Sequence, residues 1–193
     1  MSHAQVFNDI YRRNMWGAGS GPGSLPQTSG HYTYYLSQFL RSNRISSVLD
    51  IGCGDWQIFQ HFDWLGATYT GIDVSSVVMA QTKTFAKPGV SFIEMDAVHD
   101  NLPSAQLLLA KDVLQHWSNR DVELFLEKLP RFQCALITNG FPANSRKGVN
   151  ADIEPGDWRP IDLSLPPFNL KGCFIYWYPA DEMKFIYLWR AAR

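Results

Sequence analysis

Apolar positions along the chain fall into two alternating kinds of run. Short runs rich in branched and aromatic residues recur at Ile45–Ile51, Ala67–Ile72, Val90–Met95, Gln106–Ala110 and Ala135–Thr138. Each has strand length, and the 106–110 run is apolar enough to be buried on both faces. Between them lie apolar residues at helical spacing. Val78, Thr82 and Phe85 form one such stripe, which Pro88-Gly89 ends. Val122, Phe125, Leu126 and Leu129 form another, opening at Asn119. Ile58, Phe59 and Phe62 suggest a third, capped by Asp55. Ahead of the first strand, Tyr32, Tyr35, Leu36, Phe39 and Leu40 repeat at i, i+3, i+4, i+7 and i+8, predicting a helix from Thr28 or Ser29. Residues 5–15 predict a shorter one. The chain closes on two aromatic strand runs, Cys173–Tyr178 and Met183–Trp189, joined by Pro179-Ala180-Asp181-Glu182.

Alternation of strand and helix predicts an α/β fold. It is a doubly wound, Rossmann-like, seven-stranded mixed sheet with helices on both faces and a terminal antiparallel β-hairpin. At 193 residues the chain is read as one domain, 1–193. Within it, 1–30 holds a helix and a glycine-rich segment, and 31–193 forms the core. Residues 139–170 carry no period and hold five of the prolines, Pro142, Pro155, Pro160, Pro166 and Pro167. Such a long irregular stretch inside a compact domain reads as functional loop.

The first crossover turn changes the picture from architecture to chemistry. Val48-Leu49-Asp50-Ile51-Gly52-Cys53-Gly54-Asp55 is strand followed by Asp-x-Gly-x-Gly. Two readings stand side by side: glycines that only make a tight βα turn, or glycines that admit a ligand to bare backbone. A dinucleotide fingerprint requires a third glycine, where this chain has Gln57. Carboxylates on both sides of the turn repel a second phosphate-sized anion and attract a cation. S-adenosylmethionine, with its sulfonium and ammonium, fits that field. Asp73 ends the second strand about 20 positions on, where a Rossmann fold places the residue that takes the ribose hydroxyls. Alone, it reads equally as a turn residue.

In these stretches the chain resembles the class I S-adenosylmethionine-dependent methyltransferases. Gly71-Ile72-Asp73-Val74-Ser75 is similar to their ribose-binding strand end. Phe92-Ile93-Glu94-Met95-Asp96-Ala97 is similar to their third strand, and Leu108-Leu109-Ala110-Lys111-Asp112-Val113-Leu114-Gln115-His116 to the fourth strand and its loop. The resemblance spans roughly residues 45–140. It implies S-adenosyl-L-methionine as cofactor. Asp50, Gly52, Cys53 and Gly54 then hold the methionine end, Asp73 and Val74 the ribose, and Asp96 and Ala97 the adenine. Lys111 either offers its carbonyl to the methionine ammonium or points to solvent. His116, with an ordinary pKa near neutrality, is the base candidate. Its alternative is a helix-entry residue beside Trp117. Asp112 either bonds the acceptor or orders its loop.

The acceptor is narrowed by what is missing. Amino-directed nucleobase methyltransferases carry an (Asp/Asn)-Pro-Pro-(Tyr/Phe) loop after strand four, where this chain reads Lys111-Asp112-Val113-Leu114. A net charge of −1 gives no general polyanion-binding surface. The expected partner is a small-molecule methyl acceptor rather than a nucleic acid. Trp158, Phe168, Tyr176 and Trp177 are either core or pocket aromatics. Trp16–Ser24 is either a connector or a lid. Cys53, Cys134 and Cys173 lack metal-ligand spacing and read as reduced core thiols. No run is long and apolar enough to span a bilayer, and no apolar leader is present, so the expected location is cytoplasmic. No metal is required. Two other readings remain: a non-catalytic S-adenosylmethionine-binding regulatory module, and a nicotinamide oxidoreductase, disfavoured by Gln57.

Overall fold

A computed structural model describes residues 1–141 and 147–192. Pro142, part of the irregular stretch, and Arg193, the end of the expected domain, lie outside the described residues. Seven strands form one sheet: β1 (Ser47–Ile51), β2 (Thr68–Asp73), β3 (Val90–Glu94), β4 (Leu107–Lys111), β5 (Cys134–Phe141), β6 (Cys173–Pro179) and β7 (Met183–Arg190). Their order is β3-β2-β1-β4-β5-β7-β6. The first five run parallel, and β7 pairs antiparallel with both β5 and β6. The expected mixed sheet and terminal hairpin are both present. The strand order reverses between β1 and β4, and the crevice at that point is where this architecture binds ligands.

Two apolar layers sandwich the sheet. Leu49, Ile51, Leu108 and Ala110 face one, with Val122 and Phe125 of α4 (Asn119–Leu126). Val48, Leu107 and Leu109 face the other, with Tyr32, Leu36 and Leu40. Those three belong to a helix that starts at Pro26, two residues before Thr28. Its side chains reach back to the segment before it: Ser29 Oγ donates to the Gly23 carbonyl at 3.1 Å. The elements are α1 (His3–Arg12), α2 (Pro26–Asn43) and α3 (Ser76–Thr82). Ser75 caps α3 as expected, accepting from Val78 N–H.

One predicted helix is absent. After β1 the chain makes only a single 3-10 turn, Gln57–Phe59, entered through Trp56 in the left-handed region at φ 59°. The apolar spacing there serves an aromatic cluster instead. Phe59, Phe62, Trp64 and Tyr69 pack ring to ring, with centroids 4.3 Å apart for Trp64 and Tyr69 and 5.0 Å for Phe59 and Trp64. Bulky rings fill the space that a helix face would cover. The cysteines depart from expectation at one position: Cys134 is buried and Cys53 partly so, but Cys173 is exposed. No described helix is long and apolar enough to cross a membrane.

Candidate functional site

A cavity of about 340 Å³ opens at the carboxyl ends of β1, β2 and β4, within the range of small-molecule sites. Gly52, Asp73, Val74, Asp96 and Ala97 line one side. Lys111, Asp112 and His116 line the other. Asp50, Cys53 and Gly54 are not among the residues that line it.

Strand parity explains Asp50. It shares a face with Val48, and there its Oδ2 accepts from the Tyr69 hydroxyl at 2.6 Å. Burial pushes its carboxyl from the ordinary 3.8 up to about 7, against the opposing pull of Tyr69 and Lys111. The folded chain therefore holds this proton more tightly than the unfolded one. The stability due to Asp50 is full below about pH 4 and falls as pH rises to about 7. Asp50→Asn keeps an acceptor for Tyr69 and removes that slope. The variant is expected to exceed the parent in stability at pH 8 by up to about 4 kcal/mol, with the gap closing toward pH 4. Urea unfolding across that range measures it, and a gap independent of pH would refute it.

The glycine turn is shaped by the chain's own N-terminal segment. Gly52 and Gly54 have φ of 63° and 55°. A Cβ on Gly54 would lie 2.3 Å from Ser20 Oγ. Ser20 and Asp55 bond each other twice: Ser20 N–H donates to Asp55 Oδ2 at 3.0 Å, and Asp55 N–H donates to Ser20 Oγ at 2.9 Å. Asp55 therefore holds residues 16–24 against the turn rather than capping a helix or facing a cation. Lys111 Nζ adds a bond to the Gly23 carbonyl at 2.8 Å. Trp16 from the same segment lies over His116, with ring centroids 4.9 Å apart.

Asp73 is 8% exposed. Its Oδ2 accepts from Gly54 N–H at 3.1 Å and its Oδ1 from Ser75 N–H at 2.9 Å. Burial raises its carboxyl to about 6, opposed by those backbone donors. At Asp96, burial works upward too, but hydrogen bonds from His3 and His99 outweigh it and hold the group well below the usual carboxylate range.

Beyond β4 the backbone turns through Asp112 in the left-handed region, φ 59°. The Asp112 carboxylate is bonded by Lys111 and, at 3.0 Å, by Lys184. Burial pushes it up, and the two ammonium groups outweigh that and hold it at about 2. Its contacts match the loop-ordering alternative. Lys184, 1% exposed on β7, also meets Asp181 at 3.3 Å and Glu182 at 3.0 Å. The side chain of Lys111 turns inward, over the Tyr32 ring, so it does not point to solvent.

His116 is positioned by the irregular loop after β5. Gly156 N–H donates to the His116 carbonyl at 2.8 Å, and Arg159 donates to the Leu114 carbonyl at 2.7 Å. The ring's Nδ1 lies 2.9 Å from the Asp157 carbonyl. A carbonyl only accepts, so the proton is assigned to Nδ1 and Nε2 keeps its lone pair. Burial lowers the ring's pKa below 6.5, with the Asp157 carbonyl acting the other way. His116 is neutral at pH 7.

Residues 48–133 match a family model described as "Methyltransferase domain". Across those residues the chain is similar to a methyltransferase domain. No curated protein matches it. Among solved structures, the methyltransferase domain of bacterial CtHen1 is 18% identical, with a TM-score of 0.51, over 56% of this chain and 65% of that one. Magnesium protoporphyrin IX methyltransferase from Synechocystis PCC 6803, with bound SAH, is 12% identical over 99% of this chain and 100% of that one, TM-score 0.66. Human N-acetylserotonin methyltransferase in complex with SAM is 15% identical over 100% of this chain and 61% of that one, TM-score 0.61. At such identities the likeness is one of fold.

The fold also draws residues into the cavity that sequence reasoning passed over. Lys184, Asp181 and Glu182 come from the hairpin, and His3 and Phe7 from α1. Lys184 left a signal: it shares strand parity with the buried Ile186, a charge in a core-facing position. His3 left none. Of the four loop and hairpin aromatics, Trp158 lines the cavity. Phe168 packs on the core, Tyr176 stacks on Tyr35, and Trp177 is 63% exposed.

Proposed function

We propose that this domain transfers a methyl group from S-adenosylmethionine to a hydroxyl or amine of a small molecule. One observation carries the reading: a single cavity brings Gly52, Asp73 and Asp96 together with a neutral His116 whose Nε2, met only by a long 3.5 Å contact from the Gln115 amide, carries the lone pair that takes a proton. The donor set fits the nucleoside. Asp73 offers carboxylate oxygens to a ribose diol, and Asp96 with Ala97 forms the adenine end. The Lys111 carbonyl and the bare Gly52 backbone serve the methionine end. Bound there, S-adenosylmethionine supplies a methyl group already activated by sulfonium.

The chain then has three tasks. It orients the acceptor, a contribution that reaches several kcal/mol in well-aligned reactions. It excludes water, with residues 16–24 acting as a lid and Trp16 covering His116. It removes the acceptor's proton at His116 Nε2, worth about 10²–10⁴-fold. Asp112, fixed between Lys111 and Lys184, keeps the loop in register rather than titrating. A small acceptor is favoured because the cavity is of small-molecule size and a net charge of −1 gives no general polyanion-binding surface.

Calorimetry with S-adenosylhomocysteine, followed by methyl-labelled cofactor in cell extract, tests this. Micromolar binding and label in a small-molecule fraction are expected. Binding without any label transfer would identify a regulatory module. Label in nucleic acid or protein would overturn the acceptor class, and absence of binding would overturn the reading as a whole.

A further inference from the structure

The wall of the cavity near Asp96 holds a cluster that methyl transfer does not require. His3, Asp96 and His99 each turn a donor atom inward, and these atoms lie within 4.8 Å of one another. His3 Nδ1 is 3.3 Å from Asp96 Oδ2, and His99 Nδ1 is 2.9 Å from the same oxygen. Around a divalent ion with ligands at about 2.1 Å, neighbouring ligands sit roughly 3.0–3.4 Å apart. Both carboxylate–imidazole pairs have about that spacing. A small rotation of His99, whose side chain is 59% exposed, brings in the third.

A second observation lies behind His3. Its Nε2 is 3.2 Å from Asp121 Oδ2. Asp121 is 8% exposed, and Ser118 Oγ donates to the same oxygen at 2.6 Å. A carboxylate on the far nitrogen is what fixes ring and tautomer in metal-bound histidines. It draws the proton to Nε2 and leaves Nδ1 for an ion. Without an ion, the same geometry holds an imidazolium between two carboxylates.

We propose that His3, Asp96 and His99 bind one divalent transition-metal ion at the edge of the cavity. Two imidazoles and a carboxylate suit zinc or cobalt better than magnesium or calcium. The remaining coordination positions face water and the cavity. The ion ties the first turn of α1 to the end of β3. One consequence rests on the proposed function: Asp96 cannot serve the ion and an adenine amino group together, so metal and nucleoside displace each other.

Titration of the metal-free full chain with cobalt chloride and zinc chloride tests the site, read by cobalt visible absorption and by calorimetry. One equivalent is expected to bind. His99→Ala and His3→Gln should each weaken binding at least about tenfold, and Asp121→Asn about tenfold. His31→Ala and His61→Ala should leave it unchanged. Thermal unfolding checks that each variant is folded, and exposed His99 makes the safest substitution. No uptake by the parent chain, or equal affinity in His3→Gln and His99→Ala, would overturn the site. S-adenosylhomocysteine titrated with and without zinc tests the antagonism, expected as a loss of about tenfold or more. Metal binding as stated with unchanged nucleoside affinity would keep the site and refute the adenine role of Asp96. Absence of nucleoside binding would refute the proposed function and leave the metal result standing.

Discussion

Asp73→Ala is expected to weaken S-adenosylhomocysteine binding by about 100-fold. Each carboxylate oxygen already accepts one backbone N–H and keeps a lone pair for a ribose hydroxyl. Two charge-assisted bonds at about 1.5 kcal/mol each come to about 3 kcal/mol, or two decades of affinity. Asp73 also ties Gly54 to the end of β2, so the variant is checked by thermal unfolding. Asp73→Asn, which keeps the shape and one oxygen, should fall in between. The pH dependence has a definite sign. Burial sets this carboxyl at about 6, and only its ionised form accepts from both hydroxyls. Affinity is therefore full above about pH 7 and declines as pH falls through 6. A folded Asp73→Ala chain that binds within threefold of the parent would end the ribose assignment.

His116→Gln is expected to lower kcat by about 100-fold or more while S-adenosylhomocysteine affinity stays within threefold. Glutamine can still donate to the Asp157 carbonyl but offers no basic nitrogen. Burial has lowered the imidazole pKa, so the base is unprotonated at neutrality. With both substrates saturating, kcat should be flat from pH 7 upward and fall only on the acid side of 6.5. In His116→Gln that acid limb should vanish. The two predictions separate cleanly, since Asp73 governs binding and His116 governs turnover. An unchanged kcat, measured on the acceptor found by label transfer, would reduce His116 to a packing residue.

The sheet could be read from the sequence because each strand announces itself locally. Leu107–Ala110 is apolar on both faces, as a parallel central strand must be, Val48–Ile51 is so but for Asp50, and the two aromatic runs at the end read as a hairpin. What failed was reading composition without parity or volume. Asp50 drew notice because it precedes the glycines, and its parity with Val48 turns it toward Tyr69, a contact no motif shows. Ile58, Phe59 and Phe62 had helical spacing, but four aromatic rings occupy the space and the chain takes one tight turn. Ser20, Gly23, Lys184 and His3 reach the cavity from positions far from β1 in sequence. Such contacts are set by tertiary packing, which no local pattern records. His116 and Asp112 were found as a pair. Only the structure separates them, one fixed between two ammonium groups and the other a neutral ring whose Nε2 meets only the Gln115 amide, at 3.5 Å.

Ser20 and Asp55 grip each other through two opposed hydrogen bonds, and Lys111 adds a third tether at Gly23. If that stretch is the lid proposed above, these bonds, together with that of Gln57 to the Ala18 carbonyl, must part before a ligand can come and go. The frequency of that unlatching is set by residues 16–24 and the side chains of Asp55 and Lys111 that hold them, separate from the reacting atoms. Residence time can therefore drift through substitutions at positions 20 and 55 while the chemical step keeps its rate.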